Sequence, residues 1–99
     1  MRYCIYQLKK DEKIHREFSF MPWEYISNKF SFDNYEKVWD DELEESSNDI
    51  LENCDKIYAE FNINHPVGFK GHSLSVSDII GFDNEYYYCN RFGWEKINI

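Results

Sequence analysis

The segment Ile50-Leu51-Glu52-Asn53-Cys54-Asp55-Lys56-Ile57-Tyr58-Ala59-Glu60-Phe61 carries the strongest structural pattern in this sequence. Its apolar residues recur at the i, i+3, i+4, i+7 spacing of a helix that packs one face against a core. Asp49 and Glu52 suit the positive end of the helix dipole. Ser47 or Asn48 can cap the start of the helix, and Asn62 can end it. The pattern therefore predicts one main amphipathic helix whose outer face is acidic.

Strand patterns lie on both sides of this helix. They alternate with period two or combine β-forming residues with turn signals. The pair Asp83-Asn84 is rich in turn formers and predicts a hairpin. The predicted strands are Tyr3–Leu8, Tyr35–Trp39, Ile79–Phe82, Glu85–Cys89 and Trp94–Ile97.

A second, shorter helix is predicted after Pro22, because proline fits the first turn of a helix and Trp23, Ile26 and Phe30 follow at helical spacing. Before it, residues 9–12 form a polar turn. We find no internal repeat, linker or low-complexity tract, so residues 1–99 are expected to form one domain. The fold class that follows is α+β, a small antiparallel sheet with a C-terminal hairpin packed against one main amphipathic helix and one short helix.

Composition favours a folded chain that stays in the cytoplasm. The sequence is 42% hydrophobic and 19% aromatic, which is more apolar than disordered segments are. It has no stretch of about 20 apolar residues that could cross a bilayer, and its start lacks the apolar run of a signal peptide. Cys4, Cys54 and Cys89 are widely spaced, so we expect reduced, packed thiols and neither a disulfide framework nor a metal site.

The net charge of −8 is concentrated in the middle of the chain. Residues 33–60 hold two basic and eleven acidic side chains, whereas residues 1–32 carry +2 and residues 61–99 carry −1. Such a surface repels a phosphate backbone, so direct nucleic-acid binding is disfavoured. The only basic cluster in the sequence is Lys9, Lys10, Lys13 and Arg16.

The acidic run has two interpretations. It is a solvated loop that aids solubility, or its spaced carboxylates imitate a phosphate backbone and occupy the basic groove of another protein. The second interpretation names eight partner-binding residues. They are Asp40, Asp41, Glu42, Glu44, Glu45, Asp49, Glu52 and Asp55.

Catalytic signals are weak. The loop Gly71–Asp78 contains His72, three serines and an aspartate, the residue types of nucleophilic catalysis. In an extended segment, however, Ser73, Ser75 and Ser77 share the solvent side. We expect Asp78 to shape the turn through side-chain to backbone bonds, so that Asp78→Ala lowers the melting temperature. The histidines lack zinc-ligand spacing, no glycine-rich phosphate loop is present, and no cofactor is expected.

Three further segments, with the opening strand Tyr3–Leu8, cover nearly the whole chain. They are Phe61-Asn62-Ile63-Asn64-His65-Pro66, Gly71-His72-Ser73-Leu74-Ser75-Val76-Ser77-Asp78-Ile79-Ile80 and Tyr87-Tyr88-Cys89-Asn90-Arg91-Phe92-Gly93-Trp94. Together these segments resemble the YodL-like domain family. The resemblance implies a bacterial, phage or mobile-element protein, in some cases linked to actin-like cytoskeletal proteins. It implies no cofactor and no catalytic residue.

Three hypotheses about function follow. The first is a non-enzymatic inhibitor or adaptor that binds a basic protein surface, for example that of a nucleic-acid-handling effector such as a CRISPR nuclease. The second, which rests on the family alone, is a regulator that binds actin-like filament proteins. The third is a small enzyme with its site in the loop Gly71–Asp78, which requires a pocket beside His72 on which the serines converge.

Overall fold

Five antiparallel strands form one sheet at the centre of the computed structural model, which describes residues 1–99. The strand order is β2-β1-β3-β4-β5, so the first strand of the chain lies inside the sheet. The strands are β1 (Arg2–Leu8), β2 (Tyr35–Glu42), β3 (Ile79–Phe82), β4 (Glu85–Cys89) and β5 (Trp94–Ile97). The helices are α1 (Glu12–Phe18), α2 (Trp23–Ile26) and α3 (Ile50–Ile63), and a 3₁₀ turn spans Phe32–Asn34. The predicted α+β class and the C-terminal hairpin β3–β4 are confirmed.

Helix α3 covers one face of the sheet. Its residues Cys54, Ile57 and Phe61 belong to a buried cluster with Tyr3 and Ile5 of β1. Ile80, Phe82 and Tyr87 of the hairpin join the same cluster. Successive side chains of a strand point to opposite faces, so these odd-numbered positions of β1 meet α3 while its even-numbered positions face away.

The two short helices cover the opposite face. There, Leu8 of β1 and Tyr88 of β4 form a second buried cluster, against which Ile14 and Phe18 of α1 are packed. Helix α1 was not predicted as a helix, although its signals are present. Asp11 caps its start by accepting a hydrogen bond from the Ile14 N–H (3.0 Å), and two apolar residues follow at i, i+4 spacing.

Strand β2 is longer than predicted. It ends at Glu42 rather than Trp39, so the expectation that residues 40–45 form an acidic loop is wrong for Asp40, Asp41 and Glu42. Pairing with β1 across Arg2–Leu8 provides backbone partners for this charged segment, and tertiary pairing overrides its low β propensity. An irregularity in register at Val38 lets Ile5 pair with Trp39 while Tyr6 pairs with Lys37.

The ends of α3 differ by one or two residues from those predicted. Asp49, not Ser47 or Asn48, is the N-cap, and its carboxylate accepts from the Leu51 N–H at 3.1 Å. The helix continues past Asn62 to the C-cap Asn64. None of the helices combines the length and the apolar character needed to span a membrane.

Candidate protein-interaction site

The acidic residues of β2 lie on two faces of the sheet. Asp41 pairs with Tyr3, and therefore lies on the face that α3 covers. Asp40 pairs with Cys4 and lies on the opposite face. Because successive side chains of β2 point to opposite faces, the acidic run, which is continuous in sequence, is divided between the two faces of the sheet.

Asp40 is neutralised within the chain. Its carboxylate lies 2.7 Å from Arg2 Nη2 and 3.4 Å from Lys37 Nζ. Desolvation alone would raise the pKa of Asp40, but the hydrogen bonds from Arg2 and Lys37 outweigh it and lower the pKa. A carboxylate paired in this way has little attraction left for a partner's cations.

Three of the predicted residues, Asp49, Glu52 and Asp55, have partners within the chain and away from β2. Asp49 caps α3, and Glu52 lies within 3.9 Å of Lys56 one turn later and accepts from the Ser47 hydroxyl. Asp55 accepts a hydrogen bond from Trp94 Nε1 at 3.0 Å, which places it toward strand β5, at the far edge of the sheet from β2. These carboxylates do not extend the acidic surface of β2.

An acidic groove remains at the end of β2, with a volume of about 390 Å³. It lies where β2 leads into the loop before α3. Its lining consists of Tyr3, Asp41, Glu42, Leu43, Glu44 and Glu60. Three of the predicted residues therefore meet here, and Glu60, which was not among the eight, joins them from α3.

The carboxylates of the acidic groove have few cations near them. Glu42 lies 2.8 Å from the amino group of Met1, whereas Asp41, Glu44 and Glu60 form no ion pair. Burial is the main reason that the pKa of Tyr3 rises to about 12; a hydrogen bond with Trp39 opposes this rise, and the charges of Glu60 and Asp41 contribute to it. The groove therefore has a negative potential that the chain compensates only at Glu42. Glu45 stands outside it, in the following loop at a φ of 55°.

A buried hydrogen-bond network holds the loop Gly71–Asp78 against β1. The Gln7 side chain, 2% exposed, donates to the His72 carbonyl (2.8 Å) and to Asp78 Oδ2 (3.2 Å). Its own oxygen accepts from the His72 N–H at 3.2 Å. Asp78 also accepts from the Ser75 N–H at 3.0 Å, as expected of a residue that shapes the turn. Burial raises the pKa of the Asp78 carboxyl to about 8.

The serines of this loop diverge instead of sharing one solvent face. Ser73 is exposed, whereas Ser77 is buried, takes a φ of 92°, and accepts from the Phe20 N–H at 3.4 Å. A cavity does lie beside His72, but none of the serines lines it. His72 Nδ1 donates to the Ser73 carbonyl at 2.7 Å. Asp78 Oδ2 lies 3.9 Å from His72 Nδ1, but no serine hydroxyl forms a hydrogen bond with this histidine, so a nucleophile is not brought to the pair.

Two of the three cysteines, Cys54 and Cys89, are buried. All three thiols are free, and burial raises the pKa of both Cys54 and Cys89 to about 12, far above neutral pH. Such thiols remain protonated and are poor nucleophiles. No group of three or more His, Cys, Asp or Glu side chains is arranged to hold a metal ion.

The fold and the groove define a small α+β domain with helices on both faces of an antiparallel sheet and an acidic groove at one sheet edge. The family model of the YodL-like domain matches residues 2–99, so the chain belongs to the YodL-like domain family. This confirms the family resemblance of the sequence motifs. No curated protein matches the chain, and no solved structure matches it.

Proposed function

We propose that this protein is a non-enzymatic inhibitor or adaptor that docks its acidic groove on a basic surface of another protein. The target class we favour is a nucleic-acid-handling effector of the cytoplasm, such as a CRISPR nuclease, with the gene carried by a phage or mobile element. The observation that carries this proposal is the gathering around one groove of Asp41, Glu44 and Glu60, none of which forms an ion pair within the chain.

Electrostatics explains why such a groove suits a basic partner. Uncompensated carboxylates attract cationic surfaces over several ångströms, speed the encounter and disfavour acidic partners. The divergent serines and the protonated thiols support a binding protein over an enzyme.

A charge-neutral variant tests the proposal. The variant Asp41→Asn, Glu42→Gln, Glu44→Gln, Glu60→Gln keeps the shape of the groove and removes its charge. We expect tagged wild type to retain a partner from a lysate of the source cell at low salt, and we expect the variant to bind the recovered partner about tenfold or more weakly. Because the groove would imitate nucleic acid, excess duplex DNA should displace the partner from wild type.

The matched control changes the same number of charges elsewhere. Asp33→Asn, Glu24→Gln, Asp83→Asn and Glu95→Gln alter residues outside the groove that form no ion pair. This control should keep the partner with nearly unchanged affinity. Equal loss in both variants would show a nonspecific effect of net charge and would refute the groove as the binding surface. A partner that DNA does not displace would refute the proposed target class.

A further inference from the structure

The largest cavity of this acidic protein is basic. It has a volume of about 530 Å³ and lies where the β1–α1 turn, the start of β2 and the loop around Gly71 meet. Its lining consists of Leu8, Lys10, His15, Glu36, Lys37, Val38, Lys70, Gly71 and His72. We call it the basic cavity.

The charges of this cavity are opposite in sign to those of the chain as a whole. Three lysines face one glutamate, while the whole chain carries −8. Lys10 and Lys70 form no ion pair, and Lys37 reaches only Asp40, at 3.4 Å. Like charges brought together repel each other, so the cavity favours an anion that neutralises them.

The wall that carries Lys70 and His72 is held in place before any ligand arrives. Gly71 packs so closely that an added Cβ would lie 2.5 Å from Gln7 Oε1 and 2.7 Å from Phe69 Cζ. His72, which follows Gly71, is held by the Gln7 side chain, which accepts from its N–H and donates to its carbonyl. A site whose wall is already ordered loses less conformational entropy when a ligand binds than a site with a mobile wall.

The histidines leave one ring nitrogen each for a ligand. His15 Nδ1 lies 2.8 Å from the Ser19 hydroxyl, and His72 Nδ1 donates to the Ser73 carbonyl, so Nε2 of each ring has no partner in the chain. Only two of the nine lining residues, Leu8 and Val38, are hydrophobic, which suits a charged ligand better than an apolar one.

We infer that the basic cavity binds a small phosphate ester or anhydride with at least two negative charges. Lysine ammonium groups bind phosphate oxygens as mobile point charges, and three of them surround this space. The volume lies within the range of small-molecule sites, roughly 300–1,000 Å³. The inference is independent of the proposed function, because the basic cavity and the acidic groove share no residue.

Isothermal titration with inorganic pyrophosphate tests this inference on the full chain. We expect saturable one-to-one binding at low ionic strength, weaker at physiological ionic strength. The variant Lys10→Gln, Lys37→Gln, Lys70→Gln changes exposed side chains only, and should bind about tenfold or more weakly. Thermal melting would verify that the variant is folded.

A matched variant separates the site from general charge. Lys13→Gln, Lys29→Gln and Lys56→Gln remove the same charge from exposed positions outside the cavity, and should leave pyrophosphate affinity within about twofold of wild type. Equal weakening by both triple variants would overturn the inference. Failure of the wild type to bind pyrophosphate would also overturn the inference, even if a single-stranded oligonucleotide bound to the protein instead.

Discussion

Asp78 is the residue whose protonation the fold changes most clearly. It is 1% exposed, and burial raises the pKa of its carboxyl from 3.8 to about 8. At a pH between these two pKa values, the carboxyl is protonated in the folded protein and deprotonated in the unfolded chain. The free energy of unfolding therefore falls as pH rises from about 4 to about 8, and the contribution of Asp78 is constant outside this window.

We predict that Asp78→Asn flattens this pH dependence. The amide oxygen can still accept from the Ser75 N–H and from Gln7, but it does not titrate. Urea denaturation at pH 5 and pH 7 should show wild type losing more stability than the variant, by about 1 kcal/mol or more. Parallel pH profiles of the two proteins would contradict a titrating Asp78. Asp78→Ala, which removes the acceptor, should lower the melting temperature at both pH values.

A second residue-scale prediction concerns Tyr35. Its hydroxyl donates to the buried Ser77 carbonyl at 2.6 Å and so anchors a backbone with a φ of 92°. Tyr35→Phe should lower the free energy of unfolding by about 1 kcal/mol, because it leaves that carbonyl without a donor. Tyr86→Phe is the matched control, since the Tyr86 hydroxyl makes no hydrogen bond within the chain. Chemical denaturation compares the two, and equal effects would argue against the Tyr35 hydrogen bond as the cause.

At the scale of elements, the loop that carries Lys70 and His72 depends on a glycine for its close approach to β1. Gly71→Ala should destabilise the protein by about 1–3 kcal/mol, since the methyl group meets Gln7 and Phe69 well inside van der Waals distance. Ser73→Ala in the same loop is exposed and should change stability by less than about 0.5 kcal/mol. Thermal or urea unfolding measures both. A neutral Gly71→Ala would show that the loop can move aside.

The elements also show which features of the fold the sequence can predict. Helix α3 and strand β5 were predicted because apolar period and turn residues are local signals. The end of β2 was not predicted, because Asp40–Glu42 form a strand only through their pairing with β1. The acidic groove was predicted in part, since Glu60 enters it from a helix whose orientation depends on packing. The basic cavity joins Lys10, Lys37 and Lys70, which no sequence window brings together.

At the scale of the molecule, β2 connects two regions of opposite charge. Lys37, near its start, lines the basic cavity, and Asp41, near its end, lines the acidic groove. Four residues of extended strand separate them by roughly 14 Å, which exceeds the screening length of about 8 Å at physiological ionic strength.

We therefore predict that the two regions act independently at physiological ionic strength. The four-carboxylate groove variant should change pyrophosphate affinity by less than about twofold under those conditions, and should raise it more strongly at low salt, where screening is weak. Titration of wild type and variant at both ionic strengths measures this. A large change that persists at physiological ionic strength would indicate that the regions are coupled through the structure.

The interior position of β1 also has a consequence for synthesis on the ribosome. A nascent chain that has emerged only as far as α3 can pair β1 with β2, but the other side of β1 must wait until β3, which follows α3 in the chain, has emerged. Until then, β1 exposes unpaired amide and carbonyl groups to other nascent chains and to chaperones. Premature termination before Ile79 would therefore leave a product suited to aggregation or proteolysis rather than a smaller working domain.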